Sequence, residues 1–148
     1  MAHGFSLARR LRAGETVFSA WCVLGAPDIA ELLARFGFAA VTFDQQHGRY
    51  DHTATDAGIS ILHATGAAPI VRVPVGDFEE ASRMLDAGAE AIIAPAINSP
   101  EEAQNFAAAM KYPPLGKRSW GPHRAIPFSC IDQKTYLTKL ISSPLHSR

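Results

Sequence analysis

The sequence predicts an α/β fold built on parallel strands. Short apolar, β-branched runs alternate with segments of helical period four times between Thr16 and Met110. The third run, residues 68–73 (APIVRV), is apolar almost throughout, as expected of a parallel strand covered on both faces. Three helical segments close on Gly37, Gly66 and Gly88, and glycine is the residue that most readily takes up the left-handed conformation past a helix end. Repeats of this kind wind as right-handed βα units. Two architectures fit: an open doubly wound sheet, or part of a (β/α)8 barrel, which typically takes about 250 residues. No Gly-rich loop follows the first strand, so the dinucleotide and P-loop fingerprints are absent.

Taken in order, Phe5, Ala8 and Leu11 at helical spacing predict a first surface helix. Residues 16–24 (TVFSAWCVL) read as the first strand. Gly25-Ala26-Pro27-Asp28 breaks it, with Pro27 suited to a helix first turn, and Ile29, Leu32, Leu33 and Phe36 continue at helical spacing. The second strand is 39–43. The helix after it is 53–65, with Ile59, Ile61 and Leu62 facing inward. Behind the third strand, Asp77 is placed to cap a helix over 78–87 by accepting its free N–H groups. The fourth strand is 91–94 (AIIA). Ser99 caps a helix over 100–110, with Pro100 in its first turn and Glu101 and Glu102 at the positive end of its dipole. A proline- and glycine-rich loop (112–122), a last helix (132–140) and a polar end (142–148) complete the chain.

A length of 148 residues suits one domain, residues 1–148, with a core of its own. Lys+Arg and Asp+Glu are 14 each, so the basic excess of a nucleic-acid binder is missing. No apolar run approaches the roughly 18 residues that span a bilayer. The first residues carry arginines without the apolar stretch of a secretory signal. Cys22 and Cys130 have neither metal nor redox spacing and read as free thiols of a cytoplasmic protein.

The chemistry concentrates in Thr42-Phe43-Asp44-Gln45-Gln46-His47-Gly48-Arg49-Tyr50-Asp51. A buried strand here runs directly into carboxylates, carboxamides and an imidazole, and the carboxyl ends of parallel strands are where α/β enzymes keep their sites. His47 is the catalytic candidate, because an imidazole with an unperturbed pKa of about 6.5 suits proton transfer near neutrality. Asp44 or Asp51 could orient its ring. The alternative is an ordinary loop histidine. Arg72 is the second candidate: a cation at the end of an apolar strand is costly unless paired, and its planar fork suits a substrate carboxylate. The alternative is a structural pair with Asp44 or Asp77. Trp21 could line the pocket or sit in the core. Lys117, Arg118 and Arg124 lie on a basic loop that could close over an anion or remain solvated.

These residues resemble a known family, the HpcH/HpaI class II pyruvate aldolases. The resemblance rests on Asp44-Gln45-Gln46-His47-Gly48 with Asp51, on Val71-Arg72-Val73-Pro74 with Gly76-Asp77, and on the stretch from Gly88-Ala89 through Pro95 and Ala103 to Tyr112-Pro113-Pro114-Leu115-Gly116-Lys117-Arg118 and Gly121. It runs from Phe5 to about Tyr136. The resemblance implies a (β/α)8 TIM barrel of the phosphoenolpyruvate/pyruvate type, here about its first four βα units. It implies reversible cleavage of a 4-hydroxy-2-oxo acid to pyruvate and an aldehyde, with a divalent metal (Mg2+, Mn2+ or Co2+) as Lewis acid. The family's catalytic histidine falls on His47, its histidine-orienting aspartate on Asp44 and its substrate arginine on Arg72; Trp21 is a further substrate-binding candidate. Gln46 stands where well-known members carry Glu. Gln46, Asp51 and Arg124 are possible further site residues. The family's metal-binding Glu and Asp lie on later strands, so the ligands are expected beyond residue 148 and none in this chain; residues 138–148 read as an atypical tail. A homo-oligomer is the expected assembly, with a small 2-oxo acid and an aldehyde as substrates and neither nucleic acid nor membrane as partner. The rival readings are a non-catalytic binding module that retains Arg72, and an open-sheet enzyme using His47 without metal.

Overall fold

The computed structural model describes residues 4–142. Its sheet has four parallel strands, β1 (Ser19–Cys22), β2 (Ala40–Asp44), β3 (Ala68–Arg72) and β4 (Ala91–Ile93), in the unbroken order β1-β2-β3-β4. Ser19 lies opposite Ala40, Ala40 opposite Ala68, and Ile70 opposite Ala91. That order settles the architectural alternative, because a doubly wound sheet reverses its order at a switch point. Here the sheet runs one way, as in a barrel. Right-handed crossovers then bring the connecting helices to one face.

Those helices are α2 (Pro27–Arg35), α3 (His52–Thr65), α4 (Phe78–Ala87) and α5 (Pro100–Met110); α1 (Leu7–Arg12) precedes the sheet. Each crossover helix after the first begins on a side-chain cap. Asp51 accepts from Ala54 N (2.8 Å), Asp77 from Glu80 N (2.9 Å), and Ser99 with Glu102 forms a reciprocal capping box. The core lies between helices and sheet, where Val41, Phe43, Val71 and Val73 meet Ile59, Leu62 and Met84. Helix α3 packs flush on β2 because Gly58 has no side chain: a Cβ there would stand 2.5 Å from the Phe43 ring.

The first helix is the surface helix its spacing predicts, but it is anchored by a different residue. Leu7 is the residue buried, against Ala40 and Ala68, while Leu11 is 53% exposed. The cause is distant in sequence. A Glu90 carboxylate oxygen accepts the N–H groups of Ser6 (2.8 Å) and Leu7 (2.7 Å), tying the start of α1 to the start of β4. Strand β1 is shorter than the nine-residue run 16–24 suggests, because its pairing with β2 covers Ser19 to Cys22 alone. Phe18 and Leu24, outside that register, stay exposed.

After α5 the chain forms α6 (Ala125–Ser129) and α7 (Gln133–Ser142). The short α6, with a proline in its middle, has no periodic signal and is absent from the sequence expectation. Tyr112, Ala125 and Tyr136 pack there as a separate small cluster that includes Phe5. Thr138 to Ser142 of the expected tail continue α7; residues 143–148 lie outside the described residues. Both cysteines are free, Cys22 buried and Cys130 exposed. No helix among the described residues is long and apolar enough to cross a membrane.

Candidate active site

Side chains alternate along a strand, so residues opposite one another in a parallel pair share a face. Val41, Phe43 and Val71 point into the helix layer. Trp21, Thr42, Asp44 and Arg72 therefore share the other face, with Trp21 opposite Thr42 and Asp44 opposite Arg72. Trp21, Asp44 and Arg72 lie at or next to the carboxyl ends of their strands. This register makes the Asp44 carboxylate the hub. Its Oδ1 accepts from Arg72 Nε (2.9 Å) and from the N–H groups of Gln46 (3.0 Å) and His47 (3.1 Å). Its Oδ2 accepts from a second Arg72 nitrogen and from the Trp21 indole (3.1 Å). Asp44 is 1% exposed. Burial opposes its charge, but Arg72, the His47 N–H, the Trp21 indole and the Gln46 N–H outweigh that penalty and hold the carboxyl well below the usual range.

Arg72 spends one edge of its fork on Asp44 and stacks over Trp21, its guanidinium carbon 5.0 Å from the ring centroid. Its side chain is 20% accessible, and its Nη1 donors make no hydrogen bond among the described residues. The 45–51 turn folds back over the strand end, with Arg49 N donating to Val23 O (2.8 Å). Only glycine fits at its centre. A Cβ on Gly48 would stand 2.3 Å from Asp44 O and 3.1 Å from Val23 Cα, both backbone atoms. Gly48→Ala is accordingly expected to lower stability by about 2 kcal/mol, in the range of overpacking substitutions, read as a shift in the urea midpoint; an unshifted midpoint would show that the turn can yield.

Residues 18–143 match the family model for HpcH/HpaI aldolase/citrate lyase. The chain belongs to that family. A hydroxypyruvate/pyruvate aldolase of Rhizorhabdus wittichii is 40% identical over 111 residues, which are 75% of this chain and 44% of the relative. A 4-hydroxy-2-oxovalerate aldolase of Novosphingobium aromaticivorans is 34% identical over 121 residues, 81% of this chain and 46% of the relative. Among solved structures, an HpcH/HpaI aldolase from Desulfitobacterium hafniense superposes with a TM-score of 0.81 at 28% identity, covering 90% of this chain and 52% of that one. The chain thus spans about half the length of the relatives it matches.

Within this HpcH/HpaI chain, the expected site residues do not all make the contacts the sequence suggests. Asp44 holds the His47 backbone rather than its ring, and Asp51 is occupied as the α3 cap. A short carboxylate reaches the N–H groups two and three residues on before it reaches a neighbouring side chain. The His47 imidazole is exposed on the turn. Trp21 is no core residue, being 49% exposed. Gln46 is half-buried, and its buried Oε1 has no partner among the described residues. Arg124 lies away from the strand ends: it donates to Asp56 Oδ2 (3.1 Å) and to Ser60 Oγ on α3, beside a cavity of about 400 Å³ lined by His52, Arg83 and His123. Arg118 is buried against Asp86 on α4 and over the Tyr112 ring, so it closes over no substrate in this arrangement. Sequence reasoning missed Gln45, whose side chain enters the helix layer.

A divalent cation needs several converging anionic or imidazole ligands. Among the described residues no group of three His, Cys, Asp or Glu side chains converges in that way. Asp44 is committed to Arg72. These residues do not by themselves fit a metal.

Proposed function

We propose that the strand-end site binds pyruvate-type 2-oxo acids and serves reversible aldol cleavage of 4-hydroxy-2-oxo acids to pyruvate and an aldehyde. The observation that carries this reading is the partly accessible Arg72, fixed by a buried, charged Asp44 and set beside the His47 turn. Arg72 would receive the substrate carboxylate through its free Nη1 edge, and the Trp21 ring would flank the bound acid. In the cleavage direction a base removes the C4 hydroxyl proton, the C3–C4 bond breaks, and its electron pair passes into the enolate of pyruvate. Protonation at C3 then completes pyruvate. His47 is assigned as the group that moves these protons. The names of the relatives, hydroxypyruvate/pyruvate aldolase and 4-hydroxy-2-oxovalerate aldolase, support the substrate class. Divalent-metal dependence and homo-oligomeric assembly belong to the same proposal.

The lack of a converging ligand set among the described residues favours a second reading, a pyruvate-binding module without turnover. Exchange of the pyruvate methyl protons in D2O, followed by NMR with Mn2+ or Mg2+ and then with EDTA, separates the two. The aldolase reading expects exchange that EDTA stops. Pyruvate binding without exchange would favour the module, and neither binding nor exchange would overturn both.

A further inference from the structure

Asp44 and Gln45 are consecutive residues at the end of β2, so their side chains leave on opposite faces. Asp44 faces the candidate site, and Gln45 enters the helix layer. Its Nε2 lies 3.0 Å from Glu80 Oε1 on α4, 3.1 Å from Thr55 Oγ1 on α3, and 3.5 Å from Met84 Sδ. Thr55 in turn donates to Asp51 O (2.7 Å), at the far end of the same turn. The backbone of Gln45 is fixed as well, its N–H donating to Arg72 O (3.0 Å). One residue is thus bound to β3, α3 and α4 while the residue before it, Asp44, is the hub of the site and the N–H of the residue after it, Gln46, is held by Asp44.

The chemistry of this contact is unlike that of a packing residue. The Gln45 Oε1 is buried without a partner among the described residues, a desolvation cost that no hydrogen bond there offsets. A leucine or methionine would fill the space without that cost. Turning the amide over would bring Oε1 against the Glu80 carboxylate, so Glu80 fixes its direction. Glu80 is itself only 13% exposed and is held from outside by His52 Nδ1 (3.0 Å) and Arg83 Nη1 (3.4 Å). The arrangement gives up stability for direction.

We propose that Gln45 and Glu80 are positioning residues of the candidate site: their amide–carboxylate contact sets the plane of the 44–47 backbone, and through it the aim of the Asp44 carboxylate and the His47 turn. The inference rests on reading the strand ends as the pyruvate site. Neither residue touches substrate. The Asp44 bonds to the N–H groups of Gln46 and His47 report whether the brace is present.

The test uses the full chain and two readouts. In Gln45→Leu and in Glu80→Gln, amide hydrogen exchange at Gln46 and His47 is expected to quicken about tenfold or more relative to Val41 and Val71, as local opening without global opening would give. Exchanging the two side chains, Gln45→Glu with Glu80→Gln, restores an amide–carboxylate pair and is expected to recover most of the protection. Pyruvate binding, followed by Trp21 fluorescence in a Trp120→Phe background, is expected to weaken about tenfold in the single variants. Unchanged exchange at Gln46 and His47, or an equal gain at Val41 and Val71, would overturn the brace. Failure of the parent chain to bind pyruvate would count against the reading of the site, and the exchange measurement would still decide the brace.

Discussion

His47→Ala is expected to lower pyruvate methyl-proton exchange by about 10²–10⁴-fold, the usual contribution of a positioned acid–base group. The same variant should keep its thermal midpoint. The imidazole is exposed and makes no hydrogen bond among the described residues, so its loss opens no cavity and strands no buried partner. The turn is held by other means, through the His47 and Gln46 N–H groups on Asp44, the Arg49 N–H on Val23 and the close approach of Gly48. None of these involves the ring. Loss of exchange together with stability would point to a collapsed turn, and a His47→Gln variant, which keeps a polar side chain of similar reach, would then separate the two effects. Exchange undiminished in a folded His47→Ala chain would assign proton transfer to another group. Arg72→Lys gives the complementary result: a point charge cannot hold Asp44 with one edge and a carboxylate with the other, so pyruvate affinity should fall by tenfold or more.

The repeating units were legible because each rests on local chemistry. A buried parallel strand must be apolar, a capped helix must begin on Asp or Ser, and both signals lie within a few residues. What escaped depends on partners distant in sequence. The ends of β1 follow from the length of β2, and the burial of Leu7 follows from Glu90. Arg118 reads as a loop cation until Asp86, 32 residues away, is brought beside it. At the site, residue types identified His47, Asp44 and Arg72 as candidates, and pairing with Asp44 was one of the two readings weighed for Arg72. Only the register could show that Asp44 stands opposite Arg72 and is consumed by it. Gln45 could have been found by alternation alone. Two consecutive polar residues at a strand end cannot both face the same site, so one of Asp44 and Gln45 had to enter the helix layer.

Asp44→Asn is expected to cost about 3 kcal/mol at neutral pH, within the range for removing one partner of a buried ion pair and reduced by the partial exposure of Arg72. The pH dependence distinguishes lost charge from lost packing. In the folded chain the Asp44 carboxyl is held below its ordinary range, whereas in the unfolded chain it titrates near the usual value of about 3.9. Below that value the unfolded chain takes up a proton that the folded chain refuses, so acid favours unfolding. The stabilisation is therefore complete above about pH 5 and drains away as the pH falls through 4 toward the folded value. Asparagine cannot titrate. The difference in urea midpoint between the parent chain and Asp44→Asn should then be constant from pH 7 to 5 and should narrow by pH 3. A difference that persists unchanged at pH 3 would mean that the variant fails through altered hydrogen bonding, and that the charge on Asp44 is not what holds Arg72. A difference that narrows would tie the aim of Arg72 to that charge, and a site for a carboxylate anion requires such a fixed cation.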